Sequence, residues 1–251
     1  MQLELTGKTA FVTGSSKGIG WSIAQTLHKE GCQLALNGRN RDDLANATSQ
    51  LAGAMGVVGD VTIPEEARRM VDEVLCAFGK LDILVCNVGS GQSVPPGNET
   101  PDEWQRVFAK NLWSTTNSVE AATESLTLSK GVIVCISSIC GLEMISGAPI
   151  TYSVSKAALH AYVRGIARPL GKKGVRINAV APGNILFDGS VWSQKLSEDS
   201  QAVESMLQKE VALGSLGKPV DVADLVAFLV SPRSGFATGS VWALDGGQIH
   251  S

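Results

Sequence analysis

Aromatic side chains are scarce in this chain: they make up 5% of its 251 residues, and only two of them are tyrosines. Long apolar runs are missing too. No stretch of about 18 apolar residues occurs, so no membrane-spanning helix is expected. Neither sign of charge dominates, with 21 Lys and Arg against 24 Asp and Glu and a net charge of -3. The cations are scattered, which excludes the footprint of a nucleic-acid binder and a polybasic membrane tail. The opening residues MQLELTGKTAFVTG carry no charged segment followed by an apolar one, so no secretory signal is expected. The five cysteines, Cys32, Cys76, Cys86, Cys135 and Cys140, form no CxxC or CxxH pair. Metal-site spacing is therefore absent, and the thiols are expected to be reduced, as in a cytoplasmic protein.

Glycine, by contrast, is plentiful at 27 residues, and 44% of the chain is hydrophobic. That suits an α/β protein with many tight turns and enough apolar material for a large core. Short apolar runs alternate with amphipathic ones. Strands are predicted near 9–13, 33–37, 56–60, 81–87, 132–138, 175–181 and 240–244. Helices are predicted near 19–30, 42–51, 64–78, 101–126, 152–171 and 220–230, with a polar stretch of short helices over 183–213. The strand runs are continuously apolar rather than alternating, which marks a parallel sheet covered on both faces. Repeated βα units with right-handed crossovers then give a doubly wound, seven-stranded sheet. No linker divides the chain, so residues 1–251 read as a single domain with a mobile lid about 184–213.

Residues 13–20 read TGSSKGIG, directly between the first strand and the first helix. Gly14, Gly18 and Gly20 let the backbone approach a ligand closely, and the helix start presents free N–H groups to a phosphate. Tyr152 and Lys156 stand four residues apart at the start of an apolar helix, on one face of it. A free phenol titrates near 10. A cation beside its oxygen lowers that value, and a tuned phenol can exchange a proton with a carbonyl or alcohol oxygen.

The ordered set TGSSKGIG, DV at 60–61, NVG at 87–89, Asn111, ISS at 136–138, YSVSK at 152–156, PG at 182–183 and DGG at 245–247 resembles the short-chain dehydrogenase/reductase family, from Gly7 to Gly247. The resemblance implies a Rossmann-type fold and a nicotinamide dinucleotide. It implies that Tyr152 transfers a proton and that Lys156 supplies charge and binds the nicotinamide ribose. Ser138 would hold the substrate oxygen, and Asn111 would hold a water that relays protons to the lysine. Gly14, Ser16, Lys17, Gly18 and Ile19 would cradle phosphate. Asp60 and Val61 would flank the adenine, with Asn87 and Gly89 beside the cofactor. Pro182, Gly183 and Ile185 would meet the carboxamide end.

Cofactor choice is read after the second strand, where an acid would bind the adenosine 2′-hydroxyl and repel a 2′-phosphate. Gly38 stands there, followed by Arg39, while Lys17 lies in the glycine loop. Two cations and no carboxylate favour NADP(H) over NAD(H), although either cation also reads as an ordinary surface charge. Asn37 does not decide the matter, and Asp42 and Asp43 are expected on the next helix.

The resemblance implies an oxidoreductase acting on a ketone or secondary alcohol, first a 3-oxoacyl thioester, next a polyol or sugar derivative. A non-catalytic dinucleotide sensor is the alternative of another class. A carrier-protein substrate predicts basic residues around the cleft, for which Lys130, Lys172, Lys173 and Arg176 are the candidates. Phe187 and Trp192 either cover the substrate or anchor the lid. Glu143 and Met144 are expected near the substrate carbonyl, where an acid disfavours a strongly anionic substrate. The separation of 14 from Ser138 to Tyr152 is one residue longer than the resemblance suggests, which points to an altered loop over 143–149. Family members commonly associate, so a homotetramer or a homodimer is expected.

Overall fold

The computed structural model describes residues 2–250. Its centre is one parallel sheet of seven strands in the order β3-β2-β1-β4-β5-β6-β7. The strands are β1 Thr9–Val12, β2 Gln33–Gly38, β3 Met55–Val58, β4 Ile83–Cys86, β5 Val132–Ile136, β6 Arg176–Pro182 and β7 Val241–Leu244. Both faces are covered, and side-chain alternation shows how. Along β1, Ala10 and Val12 enter one core with Ile23, Leu27 and Val226, whereas Phe11 enters the other with Met70, Val74 and Leu159. Along β5, Val132, Val134 and Ile136 face the first core, and Ile133 and Cys135 the second. A strand buried on both sides cannot alternate in polarity, which is why these segments read as unbroken apolar runs.

The first core is closed by α1 Gly18–Lys29, α2 Arg41–Ser49 and α9 Pro219–Val230. The second is closed by α3 Pro64–Phe78, α5 Ser114–Ser129 and α6 Ile150–Gly171. Helix α3 matches its predicted span because its ends are written locally. Pro64 occupies the first turn, Glu65 and Glu66 follow there, and Gly79 stops the helix at φ 74°.

The helix predicted over 101–126 is not uniform. Helix α4 Pro101–Phe108 passes into a π-turn, Ala109–Trp113, before α5 begins. Such wide turns recur at functional sites, and this one contains Asn111. The 183–213 stretch holds two short helices, α7 Val191–Glu198 and α8 Ser200–Glu210. Among the described residues, no helix is long and apolar enough to cross a membrane. No group of His, Cys, Asp and Glu among them is arranged to hold a metal ion.

The strand order reverses between β1 and β4. The crevice at the carboxyl ends of these strands is where doubly wound sheets take ligands, and the predicted site residues gather there.

Candidate active site

The glycine turn follows β1. Gly18 opens α1 at φ 62°, a conformation costly for any residue with a Cβ. Helix α1 has no acidic residue in its first turn, and Lys17, at its N-cap, gives no side-chain cap. Its leading N–H groups thus remain available to an anion. Asn37 braces the turn. Its Oδ1 accepts from Gly14 N at 3.1 Å, and its Nδ2 donates to Val57 O at 3.1 Å and Gly59 O at 3.0 Å. Asn87 closes the other side, donating from Nδ2 to Thr13 O at 3.2 Å and Gly14 O at 2.8 Å. The bracing role of Asn37 escaped the sequence reading, because its partners lie about 20 residues away on either side.

At the end of β2, a Cβ built on Gly38 would lie 3.4 Å from Ser16 Oγ. A space without a carboxylate is thus bordered by Ser16, Lys17 and Arg39. Lys17 is exposed. Arg39 is also exposed, its Nη1 3.4 Å from Asp60 Oδ2, a pairing loose enough for the guanidinium to turn to another anion. Asp60 is held by Thr62, whose N and Oγ1 donate to Oδ1 at 2.9 and 2.8 Å. Burial alone would raise its pKa, but Thr62 and Arg39 hold the carboxyl below its ordinary value. Val61 is buried beside it. Asp42 and Asp43 lie in the first turn of α2, capped by Asn40, as expected.

Tyr152, Lys156, Ser138 and Asn111 converge. Lys156 is buried and donates from Nζ to Ile136 O at 3.0 Å. Asn111 is also buried. Its Oδ1 accepts from Ser90 N at 3.0 Å, and its Nδ2 donates to Ser90 O at 3.1 Å and Val107 O at 3.0 Å. Gly89 lies between the two: a Cβ there would be 2.9 Å from Asn111 Oδ1 and 3.1 Å from Lys156 Nζ. Ser138 lies two residues past β5 and caps the 3-10 turn Ile139–Gly141, its Oγ accepting from Cys140 N at 3.2 Å. Gly91 presents its backbone to the Tyr152 ring, a Cβ there falling 3.9 Å from Cε1 and Cζ.

The electrostatics differ from the expectation. In the chain alone, burial pushes the Tyr152 phenol up to about 12, with the Ser138 hydroxyl acting against the rise. Burial also lowers Lys156 to about 8. The lysine Nζ lies 5.9 Å from the centroid of the Tyr152 ring and donates to Ile136 O. A spacing of four residues along a helix did not reveal that carbonyl partner.

Pro182 is buried at the end of β6, Gly183 packs on Asp245, and Ile185 bridges to Gly217. The lid residues part company. Phe187 lies against Gly18, where a Cβ would be 2.7 Å from its Cε2, and it packs on the first core. Trp192 packs with Val203, Leu207 and Val211 in a small cluster of α7, α8 and the residue after them. Glu143 accepts from His250 N at 3.0 Å, so its carboxylate is tied to the chain's last turn. The predicted basic collar is misplaced. Lys130, Lys172 and Lys173 precede β5 and β6, and Arg176 begins β6. In a parallel sheet these positions lie at the amino edge, opposite the cleft.

The pocket-edge loop is clamped by a cluster the sequence did not disclose. Ser93 Oγ stands 2.6 Å from both Glu103 Oε1 and the buried Thr151 Oγ1, and Arg106 joins Glu103 to Gln92 O. These partners are brought together only by the α4–α6 packing.

A half-buried phenol and a buried lysine and serine thus stand beside an uncapped helix start. A family model described as enoyl-(acyl carrier protein) reductase matches residues 14–248. Glucose 1-dehydrogenase 2 of Bacillus subtilis is 33% identical over 99% of this chain and 97% of its own. The 3-oxoacyl-(acyl-carrier-protein) reductase FabG of Staphylococcus aureus is 34% identical over 96% and 98%. L-Sorbose reductase from Gluconobacter frateurii, solved with NADPH and L-sorbose, superposes with a TM-score of 0.93 at 28% identity, covering 100% of both chains. A 7α-hydroxysteroid dehydrogenase complexed with NADH and 7-oxo glycochenodeoxycholic acid gives 0.90 at 29% identity, covering 100% of this chain and 97% of its own. The chain belongs to the short-chain dehydrogenase/reductase family of oxidoreductases acting on CH–OH groups.

Proposed function

We propose that this protein is an NADP(H)-dependent oxidoreductase that interconverts a ketone and a secondary alcohol. The convergence of Tyr152, Ser138 and Lys156 at the strand-order reversal carries this reading. The bound nicotinamide would supply the hydride. Tyr152 gives a proton to the carbonyl oxygen held by Ser138, or takes it back in the reverse direction. Lys156 holds positive charge behind the phenol and donates to the nicotinamide ribose. Asn111 keeps the 89–91 strip in place and holds the relaying water. The uncapped turn of Gly14, Ser16, Lys17, Gly18 and Ile19 fits a pyrophosphate, and the Gly38 space with Arg39 and Lys17 fits a 2′-phosphate better than a 2′-hydroxyl. Asp60 and Val61 flank the adenine. Asn87, Gly89, Pro182, Gly183 and Ile185 line the nicotinamide end.

A 3-oxoacyl thioester is the first substrate class, supported by the FabG relative. A polyol or sugar derivative is the second, favoured because the four collar candidates lie at the amino edge. NADPH oxidation against a panel of both classes separates them, and no turnover with any ketone would remove the enzymatic reading in favour of a dinucleotide sensor. We place the protein in the cytoplasm, as a homotetramer or homodimer. The exposed Trp113 in the π-turn and Leu128 on α5, and the partly exposed edge strand β7, support association.

Two outcomes follow from the cofactor and lysine assignments. Arg39→Asp introduces the missing acid and removes a cation, so the NADP/NAD ratio of kcat/KM should fall by at least about tenfold, roughly 1.4 kcal/mol. An unchanged ratio would contradict the role of the turn. Lys156 is charged below about 8 and neutral above it. The kcat/KM for ketone reduction, which reports groups of the free enzyme, should therefore fall on the alkaline side with a midpoint near that value. A flat profile to pH 10 would separate the lysine's charge from turnover.

A further inference from the structure

Helix α6 carries a third polar residue in register with the first two. Tyr152, Lys156 and His160 are spaced four apart and share one face. His160 is 2% exposed. Its Nε2 is 2.7 Å from Ser137 Oγ, and its Nδ1 is 3.1 Å from Gly141 O. A carbonyl oxygen only accepts, so Nδ1 carries the ring proton and Nε2 accepts from the Ser137 hydroxyl. Burial lowers the imidazole to about 4, which keeps this neutral tautomer in place near neutral pH.

The two bonds bracket Ser138. One holds the residue before it and the other holds the end of the 3-10 turn after it. Gly141 has no room to drift, since a Cβ there would lie 2.6 Å from Lys156 C and 2.8 Å from both Ala157 N and His160 Cε1. The segment bearing Ser138 is thus fastened to α6 on both sides by one imidazole, beside the Lys156–Ile136 bond that ties the end of β5 to the same helix. Alternation explains the division of labour within the serine pair: Ser138 opens to the cleft and Ser137 turns to α6.

We propose that His160 is a positioning residue that fixes Ser138 against Tyr152 by bridging Ser137 Oγ and Gly141 O. This rests on the ketone-reductase reading and adds to it a residue that touches neither substrate nor cofactor. A misplaced hydrogen-bond donor costs rate more than ground-state affinity, because its alignment matters most as charge develops on the substrate oxygen.

The test compares His160→Leu, His160→Asn and Ser137→Ala in the full chain, with a ketone on which the wild type is active. In His160→Leu, kcat should fall about tenfold while the Kd for NADPH, read by its fluorescence, stays within twofold. Asn presents an amide near the Nδ1 position, so His160→Asn should recover part of the loss. Ser137→Ala should lower kcat severalfold, and the double variant should be no worse than His160→Leu alone. Amide exchange over 137–142, which needs no turnover, should rise in both single variants. The idea is overturned if kcat stays within twofold in His160→Leu, or if NADPH affinity and kcat fall together with no recovery by Asn. If His160→Leu does not fold, unchanged kcat and exchange in Ser137→Ala overturn it alone. Failure of the wild type on every ketone is a different result: it removes the ketone-reductase reading, and exchange unchanged by either substitution would remove the bridge as well.

Discussion

Tyr152→Phe should lower ketone reduction by about 10²–10⁴-fold, the span that a positioned general acid contributes. The substitution deletes one oxygen and leaves the ring, so packing against Gly91 and the lysine above the ring are retained. Affinity for the dinucleotide should stay within about twofold, and the loss should appear in kcat. The only other tyrosine gives an internal control. Tyr162 lies three turns along α6, packed on the second core, and Tyr162→Phe should leave turnover unchanged. The phenol stands near 12 in the chain alone, so it is almost fully protonated at pH 7 and ready to donate. Full activity of Tyr152→Phe with an accepted ketone would take the proton away from this residue.

Gly20→Ala should damage fold and site together. The added Cβ would lie 2.4 Å from Gly14 O, 2.4 Å from Asn87 Nδ2 and 3.0 Å from Ser15 Cα. Two of those three neighbours are backbone of the phosphate turn, which cannot swing aside as a long side chain would. Overpacking of this kind costs about 1–3 kcal/mol. At this chain length each kcal/mol moves Tm by roughly 2–4 °C, so a fall of about 2–12 °C is expected. NADPH Kd should rise at least about tenfold, because relief of the clash displaces the Gly14 carbonyl that Asn87 holds. Gly165→Ala is the contrasting control. Nothing lies within 4 Å of its Cβ in mid-helix, and removing a helical glycine stabilises by about 0.5–1 kcal/mol. A Gly20→Ala protein as stable as the wild type would mean that the turn yields more readily than its contacts indicate.

Much of this was legible from one dimension. Burial on both faces wrote the strands as unbroken apolar runs, and Pro64 and Gly79 wrote both ends of α3. Tyr152 and Lys156 stood out as a phenol and an amine on one face of an apolar helix, and Ser138 was pointed to by the motif resemblance. What escaped was relational. Asn37 supports Gly14 across the sheet, His160 reaches back to Ser137, and Ser93 meets Thr151 only after α4 packs on α6. The basic collar failed because a count of cations along the chain ignores which sheet edge each one occupies. The phenol's upward pKa went unseen because burial, its leading cause, belongs to the packed fold and not to the spacing along the helix.

The wide turn at Ala109–Trp113 has a geometric result for the whole rod that contains it. A π-turn uses more residues per revolution than the helix on either side, so the apolar stripe of α4 and that of α5 are out of phase. The upper segment therefore addresses the pocket rim and α6, and the lower one addresses α3 and β4. Losing or gaining one residue there would act as a rotation of one half against the other, with little change in length.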